Sequence, residues 1–147
     1  MRMMNAISWG AVFTVALGLL VCLAPYHIFP VCEGHSTAGA PMKCFWAARA
    51  TLGNGGLTIF AGCLLLLSRH APFRLGVALM LLPVGLLVIV TPGLLIGVCA
   101  NELMPCHMGT LPALALLGTL LVVTGLGIAN AARKNLAFVR NAQGDRP

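Results

Sequence analysis

The sequence has little charge, and almost none of it is negative. Charged residues make up 8% of the 147, and only Glu33, Glu102 and Asp145 are acidic. Soluble globular proteins carry roughly 25% charged residues. A chain this poor in charge does not cover a water-facing surface, so lipid must be its main solvent. Three carboxylates leave hydrolytic acid–base chemistry little to work with. None of them falls inside a long apolar run, which argues against a proton-coupled transporter. There is no Gly-rich phosphate loop, no Ser/His/Asp arrangement and no H-E-x-x-H zinc motif. Interleaved basic and aromatic residues are also missing, so the formal net charge of +6 does not point to nucleic acid. A chain of this length is one unit, residues 1–147, with no room for a separate soluble domain.

What the chain has in abundance is hydrophobic residues, 59% of the total. A helix crosses the hydrocarbon with about 20 mostly apolar residues, and four stretches qualify: 6–24, 45–67, 75–95 and 110–132. Only Arg49 puts a fixed charge inside a span, with Asn54 as the other strongly polar residue. No small-x-small cleavage site follows the first stretch before the Pro25 loop, so it reads as an uncleaved helix. Cytoplasmic loops carry the excess of Lys and Arg. An N-terminus inside puts Arg2, Arg69, Arg74, Arg133, Lys134, Arg140 and Arg146 in the cytoplasm, leaving only Lys43 and Arg49 outside. The expected topology therefore has both termini in the cytoplasm, outer loops at 25–44 and 96–109, an inner connection at Ser68–Arg74, and a frayed tail over 133–147. Gly53, Gly55, Gly56, Gly62, Gly118, Gly125 and Gly127 permit close helix approach. Pro83 is expected to kink the third span.

The two halves resemble each other. A-P-Y-H-I-F-P-V-C at 24–32 is followed by M-K-C at 42–44; T-P-G-L-L-I-G-V-C at 91–99 is followed by M-P-C at 104–106. Each half is a helix, an outer loop and a helix entered from the same side. The expected fold is all-α: a four-transmembrane-helix bundle built from two parallel helical-hairpin repeats about an axis along the membrane normal.

Cys32, Cys44, Cys99 and Cys106 fall outside the cytoplasm on this topology, where paired cysteines usually form disulfides. Three pairings are open, and the repeat favours Cys32–Cys44 and Cys99–Cys106, one clasp per loop. Cys22 and Cys63 lie within spans and read as small apolar packing residues. A redox alternative takes the same four cysteines as a thiol–disulfide oxidoreductase passing electrons to quinone, with Arg49 lowering a thiol pKa or contacting a quinone oxygen. Against it, no Cys-x-x-Cys occurs, and Arg49 equally well snorkels to headgroups or pairs with Glu33 or Glu102. A third reading is extracytoplasmic copper. Met104, His107 and Met108 combine thioether and imidazole donors on one helix entry, with Met42, Cys44, His27 and His35 opposite, a soft set that suits Cu(I).

V-C at 31–32, M-K-C-F-W-A-A-R-A at 42–50, L-I-G-V-C at 95–99 and M-P-C-H-M-G-T at 104–110 resemble domain-of-unknown-function family 4418, small four-helix membrane proteins of bacteria. The resemblance covers residues 6–132. It implies the four-helix fold, the bacterial cytoplasmic membrane, and work beside membrane transport complexes. The family's first Met-Lys-Cys is often followed by His; here Phe45 stands there and removes one donor from a metal site. The expected role is a non-catalytic accessory or partner-binding subunit that uses no cofactor, with the quinone and Cu(I) readings as alternatives.

Overall fold

Apolar runs set the helices, and prolines set where two of them stop. The computed structural model describes residues 2–28, 43–68, 70–96 and 109–144. Its four α-helices are α1 (Arg2–Leu23), α2 (Lys43–Leu67), α3 (Ala71–Val90) and α4 (Leu111–Gly144). All four are long and apolar enough to cross a membrane, over Ser8–Tyr26, Phe45–Leu67, Ala71–Leu95 and Leu111–Phe138. The all-α membrane class expected from the sequence is the class observed.

α1 and α3 end in the same way. A five-residue π-helical turn follows each, Ala24–Ile28 after α1 and Thr91–Leu95 after α3, with Pro25 and Pro92 as second residues. Proline offers no N–H to the carbonyl four residues back. The regular ladder breaks there and the chain widens to five-residue spacing; the Ile96 N–H donates to the Thr91 carbonyl at 3.1 Å. Pro72 costs little because it sits in the first turn of α3, where backbone donors are unpaired anyway. Pro83 does not interrupt α3, which runs through it from Ala71 to Val90. Its ring lines an open groove facing α2.

Within the spans, threonine hydroxyls bond back to their own helix. Thr14, Thr51 and Thr58 each donate to the carbonyl four residues earlier at 2.8 Å, and Thr124 does so at 2.7 Å. Such bonds satisfy hydroxyls where no water is available.

The helices form a ring in chain order. α1 packs most closely on α2 and α3 on α4; looser α1–α4 and α2–α3 seams close the circle. Glycines make the tight pairs possible. A methyl group added to Gly55 would meet Cys22 Sγ and lie 3.0 Å from the Gly18 carbonyl, and one on Gly18 would lie 3.1 Å from the Gly55 carbonyl. In the other pair, methyl groups on Gly85 and Gly118 would lie 3.0 and 2.8 Å from each other's carbonyl oxygens. Lower down, Gly62 approaches the Ala11 carbonyl and Gly125 the Ala78 carbonyl. These contacts run in opposite chain directions, so both pairs are antiparallel. Gly53, Gly56 and Gly127, expected to serve the same purpose, face open space.

Two apolar layers fill the centre. Ala11, Leu65, Ala78, Leu81, Ile128 and Ala129 form one, drawing on all four helices. Leu17, Val21, Ala24, Val88, Leu114 and Leu121 form the other, where α2 instead buries Thr51, Gly55 and Thr58. Large side chains point outward: Trp9, Phe60, Met80 and Leu116 are each more than 60% exposed. With only 28–39% of each span's most apolar window buried, lipid must cover the remainder.

Several boundaries differ from expectation: α1 begins at Arg2 rather than 6 and α2 at Lys43 rather than 45, and two further shifts matter more. α3 starts at Ala71 rather than 75, which places Arg74 in the helix and buries it. α4 continues past 132 to Gly144, because Ala, Leu, Arg and Lys are good helix formers and no proline interrupts that stretch.

The glycine contacts yield a direct test. Gly55→Leu and Gly118→Leu are each expected to destabilise the fold by about 1–3 kcal/mol through overpacking. Gly53→Leu, with nothing within 4 Å of its Cβ position, should leave stability unchanged. Unfolding in mild detergent, followed by helicity, measures all three.

Candidate functional site at the cysteine-bearing end

α2 opens with Lys43 and Cys44, so one expected site cysteine stands at the very start of a membrane helix. Its next turn is aromatic and cationic. The Phe45 and Trp46 rings meet edge to face, centroids 5.9 Å apart at 81°. The guanidinium carbon of Arg49 lies 4.9 Å from the Phe45 ring centre, a cation–π contact worth about 0.5–1 kcal/mol at an exposed site. Trp46 and, at the end of α1, Tyr26 are exposed, as suits aromatics at a membrane–water boundary. Phe45 here supports Arg49, the fixed charge in the α2 span.

Cys32, Cys99, Cys106, Met104, His107 and Met108 lie outside the described residues, as do Glu33, His35, Met42 and Glu102; so the loop disulfides and the copper set fall there too. The side chains of His27 and Cys44 are likewise not among those described. Among the described residues, Cys22 and Cys63 are free thiols, and no three His, Cys, Asp or Glu side chains come together. Cys22 is half-buried, its Sγ 3.7 Å from the Leu52 carbonyl, and packs against Gly55 as a small apolar residue would. Cys63 points outward.

Deeper in the bundle, a polar contact joins the two hairpins. Asn54 Nδ2 on α2 donates to Thr91 Oγ1 at 3.4 Å, and that hydroxyl donates to the Leu87 carbonyl at 2.6 Å. The Thr91 side chain thus relays a bond from α2 into the last turn of α3, where Pro92 has already broken the ladder. Asn54 stands out in the sequence as a polar residue in a span. Nothing in the sequence pairs it with Thr91, because that partner is chosen by the α2–α3 packing.

The opposite end carries the positive charge. Arg74 is 8% exposed, and its Nε donates to the Ser68 carbonyl at 2.5 Å. A cation here complements the negative C-terminal end of α2 and satisfies one of its orphan carbonyls. Arg133, Lys134 and Arg140 are exposed on α4 at this same end. The cysteine-bearing end has Lys43 and Arg49.

A family model described as Domain of unknown function (DUF4418) matches residues 14–130, from the middle of α1 to the last apolar turns of α4. No curated protein and no solved structure matches the chain.

The Asn54–Thr91 contact can be measured by a double-mutant cycle. Asn54→Ala, Thr91→Ala and the double variant should give a coupling near 0.6 kcal/mol, the average for hydrogen bonds between membrane helices. Additive effects would mean that the contact contributes nothing to stability.

Proposed function

The chain belongs to the DUF4418 family, and we propose that it is a non-catalytic accessory subunit of the bacterial cytoplasmic membrane that binds a membrane-protein partner such as a transport complex. The observation that carries this reading is the overhang of α4. At 1.5 Å per residue its 34 residues extend about 51 Å, against about 30 Å of hydrocarbon. The last turns leave the bundle with Arg133, Lys134 and Arg140 exposed, and with Phe138 76% exposed. A basic helix end that presents an uncovered aromatic suits an acidic protein surface, with charge steering the encounter and the ring anchoring it.

In the same proposal both termini are cytoplasmic, which the charge of the Arg74 and α4 end supports through the positive-inside rule. The bundle is two hairpin repeats. Gly18, Gly55, Ala11 and Gly62 of the first hairpin correspond in contact to Gly85, Gly118, Ala78 and Gly125 of the second, at a constant sequence offset within each helix pair. The matching π-helical turns at Pro25 and Pro92 support it further. The outer loops are clasped by Cys32–Cys44 and Cys99–Cys106, each bridge worth about 2–4 kcal/mol by the loop-closure model. The second reading, a quinone-linked oxidoreductase, draws support from Arg49. Its exposed guanidinium has no carboxylate partner among the described residues and stands five residues beyond Cys44.

Two experiments separate these readings. A photo-crosslinker at Phe138 is expected to capture one defined membrane protein, and Arg140→Glu should weaken that capture. A crosslinker at lipid-facing Phe60 should not capture it. Absence of any protein adduct at Phe138 would sink the accessory reading. Alkylation trapping in native membranes should find all four loop cysteines oxidised and resistant to reduction near about −300 mV, where structural bridges hold. One readily reduced pair together with co-purified quinone would put the oxidoreductase in its place.

A further inference from the structure

The α2–α3 seam stays open where the hairpins are closed. Leu57, Phe60 and Leu64 of α2 face Phe73, Val77 and Met80 of α3 across a groove of about 580 Å³. Every residue that lines it is apolar, and it opens to the side of the bundle that lipid covers. On α3 it runs from Phe73 to Leu87, about 21 Å at 1.5 Å per residue. One leaflet of hydrocarbon is roughly 15 Å deep, half of the usual core. The groove therefore starts at the α2–α3 turn, runs the depth of one leaflet and somewhat past the midplane, and stops one turn short of the Asn54–Thr91 pair that bridges the seam.

Its lower end has charge without a counter-charge among the described residues. Arg74 is buried beside Phe73 and spends its Nε on the Ser68 carbonyl, a neutral partner. Exposed His70 and the first turn of α3 flank it. No carboxylate exists among the described residues, since Glu33, Glu102 and Asp145 all lie outside them. A buried cation without an anionic partner is costly, and a phosphate at this depth would supply one, helped by the helix N-terminus.

We propose that this groove holds one acyl chain of an anionic phospholipid from the leaflet at the basic end, with its phosphate at the foot of α3. Water does not fill so apolar a space. A neutral hydrocarbon tail would bring no anion to Arg74, whereas an anionic phospholipid meets both the groove and the charge. The site is distinct from the α4 overhang and stands whether or not a protein binds there.

Native mass spectrometry of the full chain tests this, after exchange into detergent micelles with phosphatidylglycerol and phosphatidylethanolamine in equal amounts. The wild type is expected to retain one lipid and to prefer phosphatidylglycerol by roughly fivefold, about 1 kcal/mol for one cation near the surface. Gly76 lines the groove and has nothing within 4 Å of its Cβ position, so Gly76→Trp should fill the groove, keep native helicity and lose the lipid. Gly127→Trp, equally open but outside the groove, should keep it. Should Gly76→Trp fail to fold, Met80→Gln, at a 67% exposed position, serves instead and should lower retention. His70→Glu should remove the preference for phosphatidylglycerol while one lipid is still retained. The proposal is overturned by a wild type that retains no lipid, by equal retention of the two lipids, by quinone or a second copy of the chain in place of phospholipid, or by a folded Gly76→Trp that still carries it.

Discussion

Two backbones touching at glycine hold each half of this protein together. Between helices in lipid the hydrophobic effect offers almost nothing, because the hydrocarbon outside is as apolar as the side chains within. Dispersion must supply the attraction, and it falls away steeply with distance. Gly18 against Gly55 and Gly85 against Gly118 bring main chains close enough for that attraction to count. The remaining architecture follows from these approaches. They fix the antiparallel register of each hairpin, align the two core layers, and turn the large side chains outward to the lipid.

Because the hairpins are tight, the seams between them are where the protein differs from a uniform bundle. The α2–α3 seam is bridged by Asn54 and Thr91 and lies open beneath them. Polar groups in the spans are few, and the threonines among them mostly bond within their own helix. The Asn54 amide instead reaches a neighbouring helix, at the point where proline has broken the α3 ladder. The same break that ends the regular helix thus supplies the acceptor that joins the halves.

The two ends are chemically unlike. One carries arginine and lysine on α3 and α4, with a helix that outruns the membrane thickness. The other carries a cysteine at a helix entry, interfacial aromatics, and an arginine resting on a phenylalanine ring. The proposed partner binding and lipid capture both draw on the first end, while the thiol chemistry of the alternative reading would belong to the second.

Much of this was legible in the residues themselves. Runs of about 20 apolar residues dictate four membrane helices whatever their partners, because hydrocarbon leaves the backbone no alternative to bonding within its own segment. Proline was less decisive: Pro25 and Pro92 sit at ladder breaks, whereas Pro83, with the same missing donor, lies inside an unbroken α3. Other features depended on which helix lies beside which. Seven glycines looked alike in the sequence, yet only Gly55, Gly62, Gly118 and Gly125 meet a neighbour, while Gly53, Gly56 and Gly127 face outward. Arg74 read as a loop cation, but the early start of α3 and the nearby end of α2 bury it as a cap. Asn54 had no partner until α3 was placed beside it. A single chain determines its own hydropathy and backbone chemistry; contacts between helices depend on rotation and register, and these only the packed bundle decides.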